Sequence, residues 1–237
     1  MAKRPGGELA TRPLHFIWIA DCSGSMSVDG KIQSLNTAIR EALPHMRAVA
    51  DENPNAEVLV RSLAFGSGAQ WQVSQPTPVA DFKWTDLQTN GLTDMGLALR
   101  MVAEQLQMPP MTDRALPPVL VLISDGQPTD DYTGGLAALM QEPWGKKAVR
   151  IAIAIGEDAD TEVLQRFIGH PEVKPLQANN PETLVRHIKW VSTAVLKSAS
   201  APASQAAGLA AGQNVPIPAP PTAPTGPPGT GRCLVTR

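Results

Sequence analysis

The sequence has little of several things, and each shortage removes a class of protein. Two cysteines, Cys22 and Cys233, stand in 237 residues. That excludes a disulfide framework or a zinc ribbon, and it suits a reducing compartment. Aromatic residues make up 4% of the chain, with a single tyrosine, so the core has to be aliphatic. Net charge is −2 and no basic run is longer than Lys146-Lys147, which leaves no patch for the phosphates of a nucleic acid. Long apolar runs are missing too. Leu14 to Ala20 is too short for a bilayer, contains His15 and closes on Asp21. Lys3 and Arg4 precede it as in a signal peptide, but there is no small-x-small cleavage site, so the run reads as a strand. These shortages predict a soluble cytoplasmic protein, with no nucleic-acid or membrane partner, that recognises its ligand at a local site.

What the chain does have is an alternation of short aliphatic runs and amphipathic stretches. Leu14 to Ala20 is expected to be a strand buried on both faces. Gly30 to about Asp51 reads as a helix with Ile32, Leu35, Ile39, Leu43, Met46 and Val49 inside, kinked or split at Pro44. Glu57 to Phe65 and Ala69 to Val73 read as a hairpin across Gly66-Ser67-Gly68, its second strand ended by Pro76 and Pro78. A helix over about 93–107, a buried strand Val119 to Ser124, a short helix near 134–141 and a strand Val149 to Ile155 follow. A helix from Thr161 to Ile168 capped by Asp160 or Thr161, a weak strand near 173–177 and a helix from Pro181 to about Ser198 complete the pattern.

The expected fold is α/β: a doubly wound, mostly parallel six-stranded sheet with one short antiparallel edge strand and helices on both faces, over residues 13–198. Residues 1–12 read as a flexible lead-in. Residues 199–237 read as a disordered Ala/Pro-rich tail, too poor in bulky apolar side chains to offset chain entropy.

Two of the buried strands deliver acids. Asp21-Cys22-Ser23-Gly24-Ser25 follows the first, and Asp125-Gly126 follows Val119 to Ser124. In a doubly wound sheet these two strands flank the crevice where ligands bind. Thr93, preceding the strand that ends at Ser124, enters from the same rim. Asp21, Ser23, Ser25, Thr93 and Asp125 together form an oxygen-rich set suited to a hard cation such as Mg²⁺. Taken alone, the opening loop also allows a phosphatase nucleophile or a helix cap.

DCSGS resembles the Asp-x-Ser-x-Ser motif of von Willebrand factor type A (VWA) domains. GLTDMG resembles their threonine-bearing loop, and ISDGQPTDD their third, aspartate-bearing loop. Gly30-Lys31-Ile32, Leu35-Asn36 and Ala38-Ile39 resemble the small bacterial TerY-type branch, associated with tellurium resistance. The resemblance implies a metal-ion-dependent adhesion site. Ser23, Ser25 and Thr93 would act as neutral donors, and Asp21 and Asp125 often through water. Mg²⁺ is expected, with Mn²⁺ or Ca²⁺ as alternatives, and a partner protein completes the coordination with an Asp or Glu. For the TerY branch the implied partners are protein kinases or PP2C-type phosphatases in bacterial stress or conflict signalling. Some TerY-type relatives carry a C-terminal cysteine-rich module, for which this chain has only Cys233.

The competing expectation is a Mg²⁺-dependent phosphatase of haloacid-dehalogenase type with Asp21 as nucleophile. That chemistry needs a second aspartate where this chain has Ser23. None of His15, His45, His170 and His187 adjoins the acidic loops, so the chain is expected not to be an enzyme. Cys22 reads as an unreactive side chain, its pKa raised by the neighbouring carboxylate. Phe82 and Trp84 read as core residues, and Asp94, Asp130 and Asp131 as solvated loop acids.

Overall fold

The structure is a computed structural model and describes residues 11–53, 56–200 and 217–221. Six strands form one sheet: β1 (Arg12–Asp21), β2 (Ala56–Gly66), β3 (Gly68–Pro78), β4 (Val119–Ser124), β5 (Val149–Ile155) and β6 (Leu176–Ala178). Their order is β3-β2-β1-β4-β5-β6, parallel throughout except for β2 and β3. The chain therefore winds outward from β1 to β3, returns to lay β4 beside β1, and winds outward the other way. This is the doubly wound arrangement expected, with its reversal between β1 and β4.

Burial on both faces explains why β1, β4 and β5 are nearly unbroken aliphatic runs. Leu14, Phe16, Trp18 and Ala20 point to one face, where they meet the inner stripes of α1 (Lys31–Asp51) and α6 (Pro181–Trp190). Ile17 and Ile19 point to the other, where they meet α2 (Met95–Gln105), α3 (Tyr132–Gln141) and α5 (Thr161–Ile168). On β5 the isoleucines face the first layer and Ala152 and Ala154 the second, so the helices of the second layer can approach closely. A short helix α4 (Pro143–Lys147) precedes β5.

Several elements depart from the sequence expectation, each for a local reason. α1 runs unbroken through Pro44. The proline lies on the exposed side of the helix, where water can satisfy the carbonyl it frees. Arg47, on the next turn, donates to the Val79 and Phe82 carbonyls at 3.1 and 2.9 Å. β3 continues to Pro78 instead of ending near Val73. It is an edge strand, where a missing N–H is tolerated, and its register with β2 shifts between Val60 and Leu63. β6 is shorter and later than expected. The last helix changes to a π-helical segment at Val191–Val195 before α7 (Leu196–Ser200). There Ser192 and Thr193 donate back to the Ile188 and Lys189 carbonyls, both at 2.7 Å, which competes with the regular helical bonds. Asp160 caps α5 as expected, accepting from Glu162 and Val163 N–H. The lead-in up to residue 10, and the tail at 201–216 and 222–237, lie outside the described residues.

An arginine and a histidine are sealed into the second face. Arg61 on β2 is 2% exposed, and its Nε and Nη1 have no hydrogen-bond partner among the described residues. His15 on β1 is buried, and burial together with the Arg61 charge pushes its pKa down to about 4 from 6.5. The folded value lies below the unfolded one, so the fold accepts neutral His15. Its contribution is complete above pH 6.5 and is lost as pH falls from 6.5 towards 4, by up to about 3 kcal/mol. In urea titrations at pH 7 and pH 4.5, His15→Leu is expected to gain on the wild-type chain at the lower pH. A constant difference between the two chains would contradict this assignment.

Candidate metal centre

β1 and β4 pair in parallel up to Ala20 and Ile123, so Asp21 leaves the sheet beside Ser124, with Asp125 one residue further. Both aspartates are fully buried. Ser124 Oγ donates to Asp21 Oδ2 and accepts from Gly126 N–H at 2.8 Å. Asp21 Oδ1 accepts from Ser23 N–H at 2.7 Å, which turns the chain back over the strand end. Ser23 Oγ and Ser25 Oγ lie 3.0 Å apart. Asp21, Ser23 and Ser25 are therefore linked directly, while Asp125 follows Ser124 in the chain and reaches Asp21 through its charge.

Thr93 joins through its backbone. It lies in the loop before α2, and Thr93 N–H donates to Thr129 Oγ1 while Thr129 N–H donates to Thr93 O, both at 3.0 Å. The same loop is tied to the first: Gly24 N–H donates to Gly91 O at 2.8 Å and Asn90 N–H to Cys22 O at 2.6 Å. Gly66 sits under this crossing, and a Cβ there would lie 2.3 Å from the Asn90 carbonyl oxygen. Only glycine fits without moving the loop.

The neighbouring acids are staples rather than free loop charges. Asp130 accepts from Gly96 and Leu97 N–H, each at 2.8 Å, and so holds the start of α2. Asp94 accepts from Gly68 N–H at 2.7 Å. Asp131 caps α3 through Gly134 N–H and pairs with Arg100. Asn36 of α1 donates to Leu87 O and accepts from Leu87 N–H and Trp84 Nε1, fixing the segment that leads into the threonine loop. Phe82 is in the core, and Trp84 is half-buried beside it. Ser124, Thr129 and Asn36 carry roles that sequence reasoning missed. The signal available for Asn36 was a polar residue on the apolar stripe of a helix; Ser124 ends its strand and Thr129 lies in a loop, where no period marks them.

The electrostatics are one-sided. Burial pushes the Asp21 carboxyl up to about 6; hydrogen bonds from Ser124 and Ser23 pull it down, and the charge on Asp125 pushes it up again. Both Asp125 carboxylate oxygens are buried with no hydrogen-bond partner among the described residues. A buried carboxylate without partners is costly, and a divalent cation is one partner that would satisfy it. Two carboxylates and three hydroxyls fit a hard cation. Among the described residues no group of three His, Cys, Asp or Glu has this character, because most donors here are hydroxyls. Cys22 is no candidate nucleophile: burial, then the Asp21 charge, pushes its thiol up to about 11.

The fold defines an α/β domain whose β1–β4 reversal carries the two buried aspartates. The chain belongs to the von Willebrand factor type A domain family, whose model matches residues 18–186. Solved structures with this fold include the ArnB paralog VWA2 from Sulfolobus acidocaldarius, at 19% identity and a TM-score of 0.55, over 75% of this chain and 44% of that one. The pilus adhesin SpaC from Lactobacillus rhamnosus GG matches at 13% identity and a TM-score of 0.63, over 79% of this chain and 31% of that one. A von Willebrand factor type A protein from Catenulispora acidiphila matches at 17% and 0.57, over 80% and 43%. The chain thus spans less than half the length of these proteins. No curated protein matches it in sequence.

The raised pKa of Asp21 makes it a stability liability when no cation is bound. The folded value, about 6, lies above the ordinary 3.8. The penalty is absent below pH 3.8 and complete once pH has risen past 6, at about 3 kcal/mol. Asparagine removes the charge but loses about 1 kcal/mol of hydrogen bonding. At pH 7.5 in EDTA, Asp21→Asn is therefore expected to be more stable than the wild-type chain by about 1–2 kcal/mol, read by urea unfolding. A loss of stability would overturn this account of the site.

Proposed function

We propose that the chain is a metal-dependent protein-interaction module, in which Asp21, Ser23, Ser25, Thr93 and Asp125 hold a divalent cation. Mg²⁺ is the preferred ion, with Mn²⁺ or Ca²⁺ as alternatives. The observation that carries this reading is the pair of unpartnered, buried Asp125 oxygens beside Asp21. When bound, the cation supplies an electron-poor centre that an Asp or Glu of a partner protein completes. The chain's own groups preorganise that centre. Ser124 and Ser23 N–H orient Asp21, the Thr93–Thr129 pair of hydrogen bonds holds the threonine loop, and Asp130 fixes the helix behind it.

The rim supports a protein ligand. Leu92, next to Thr93, is 57% exposed and Val28, after the serine loop, 53%. They are two of the four exposed large hydrophobics among the described residues, and each is close in sequence to a loop that supplies the proposed donors. Among the described residues no histidine adjoins Asp21 or Asp125 in sequence, and Asp21 has both oxygens engaged. These features favour binding over turnover. The haloacid-dehalogenase alternative is not supported: family membership points away from it, and Ser23 stands where its second acid belongs. The name of SpaC describes an adhesin, which agrees in kind with a binding role. A TerY-type signalling role, with a protein kinase or PP2C-type phosphatase as partner in the bacterial cytoplasm, is the finer form of this proposal. It rests on Gly30-Lys31-Ile32, Leu35-Asn36 and Ala38-Ile39. No helix of the described residues is long and apolar enough to cross a membrane.

Two measurements test the proposal. Mg²⁺ at 100 times its dissociation constant should stabilise the wild-type chain by about 2.7 kcal/mol. The same addition should leave Asp125→Ala unchanged. Affinity capture should retain partners in Mg²⁺ and lose them in EDTA or with Asp125→Ala; identical captures in all three would refute the adhesion site. Leu92→Asp is expected to weaken capture at least tenfold while preserving the Mg²⁺ stabilisation, because it alters the rim and leaves the cation's donors intact.

A further inference from the structure

Five residues far along the tail are seated on the domain. Ile217 packs against the core layer that contains α1 and α6. Together with Pro218 to Pro221 it lines a groove of about 550 Å³, whose other wall includes Val173, Leu176, Thr183, His187 and Trp190. That wall is built from β6, the segment before it, and α6. It shares none of the five residues assigned to the cation.

The segment has the character of a polyproline ligand. Ile217-Pro218-Ala219-Pro220-Pro221 has three prolines, which cannot donate and which favour the extended three-residue-per-turn helix. Pro218 and Pro221 are three apart, one turn of that helix, and both are half-buried. Ala219 and Pro220, between them, are exposed. The groove has the complementary features: an aromatic wall in Trp190 and aliphatic contacts in Val173 and Leu176. With the segment in place, Trp190 Nε1 makes no hydrogen bond among the described residues, so its ring contributes apolar surface to the groove and not a donor. His187 Nε2 is engaged with the Gln177 carbonyl at 3.0 Å, which fixes its ring as a wall of the groove. A preformed extended ligand loses little entropy on docking.

We infer that the β6–α6 groove is a receptor for a proline-rich extended segment, and that its resident occupant is the chain's own Ile217–Pro221. Sixteen residues separate Ser200, the end of α7, from Ile217. Docking is therefore intramolecular, and a free ligand of the groove has to compete with it. The surface is a second binding site of the chain, independent of the cation, and it is guarded by its own tail.

The test uses the full chain labelled with 5-fluorotryptophan, the Trp190 resonance being assigned with Trp190→Phe. Ile217→Asp should shift that resonance and lower the midpoint of urea unfolding only slightly, by what the loss of a docked tail removes, the domain remaining folded. A peptide of residues 214–224 should then bind Ile217→Asp at least about threefold more tightly than it binds the wild-type chain, where the tethered copy competes. The pair Pro218→Gly and Pro221→Gly, which removes the extended bias and keeps Ile217, should behave as Ile217→Asp does. An unmoved Trp190 resonance in both variants overturns the inference. Equal binding of the peptide to the wild-type and variant chains overturns it too, as does equal binding of a scrambled peptide.

Discussion

Two buried carboxylates brought together at the ends of neighbouring parallel strands are the constraint around which this domain is arranged. Asp21 and Asp125 lie about a hundred residues apart in sequence, and only the return of β4 to the side of β1 makes them neighbours. Like charges in a buried site repel, and burial disfavours the charge on Asp21. Hydrogen bonds from Ser124 and Ser23 oppose part of that penalty, while the Asp125 oxygens have no hydrogen-bond partner among the described residues. The fold therefore stores an unfavourable charge at the position that open α/β sheets present to ligands.

The loops around that charge are held by one another rather than by the sheet. The serine loop is tied to the Asn90–Gly91 turn, the turn to the end of β2, and the threonine loop to Thr129. Almost every tie is a backbone amide meeting a carbonyl or a short polar side chain. Such a network has few rotatable bonds, so the hydroxyls arrive with little entropy left to lose. Gly66 is the point where two of these strands of chain come closest, and its missing side chain permits the crossing.

Much of this was legible in the sequence, and what was not follows a pattern. The order of strands could be inferred because aliphatic runs buried on both faces are hard to mistake, and Asp21 and Asp125 stand out because they end such runs. The family motifs then added Thr93, whose place depends on a loop that periodicity does not describe. Asp94, Asp130 and Asp131 read as solvated acids because a staple to a backbone amide has no sequence period. Ser124 looked like the last residue of a strand, yet its hydroxyl bridges Asp21 to the next loop. The length of β3 was obscured by Pro76 and Pro78, which mean different things on an edge and in the middle of a sheet. The π-helical segment depends on Ser192 and Thr193 bonding back to carbonyls, a competition that composition does not decide. The seat of Ile217 was hidden by its surroundings, since a segment poor in apolar residues reads as unattached until the one groove that fits it is known.

The two ends of the sheet have a consequence of another kind. β3 carries polar residues such as Gln70, Gln72 and Gln75 with Pro76 and Pro78, and β6 has only three residues. The prolines deny an incoming strand its donors, and the short strand offers too little length to template one. Neither margin invites another polypeptide to extend the sheet. Both margins of the sheet thus carry features that discourage edge-to-edge pairing.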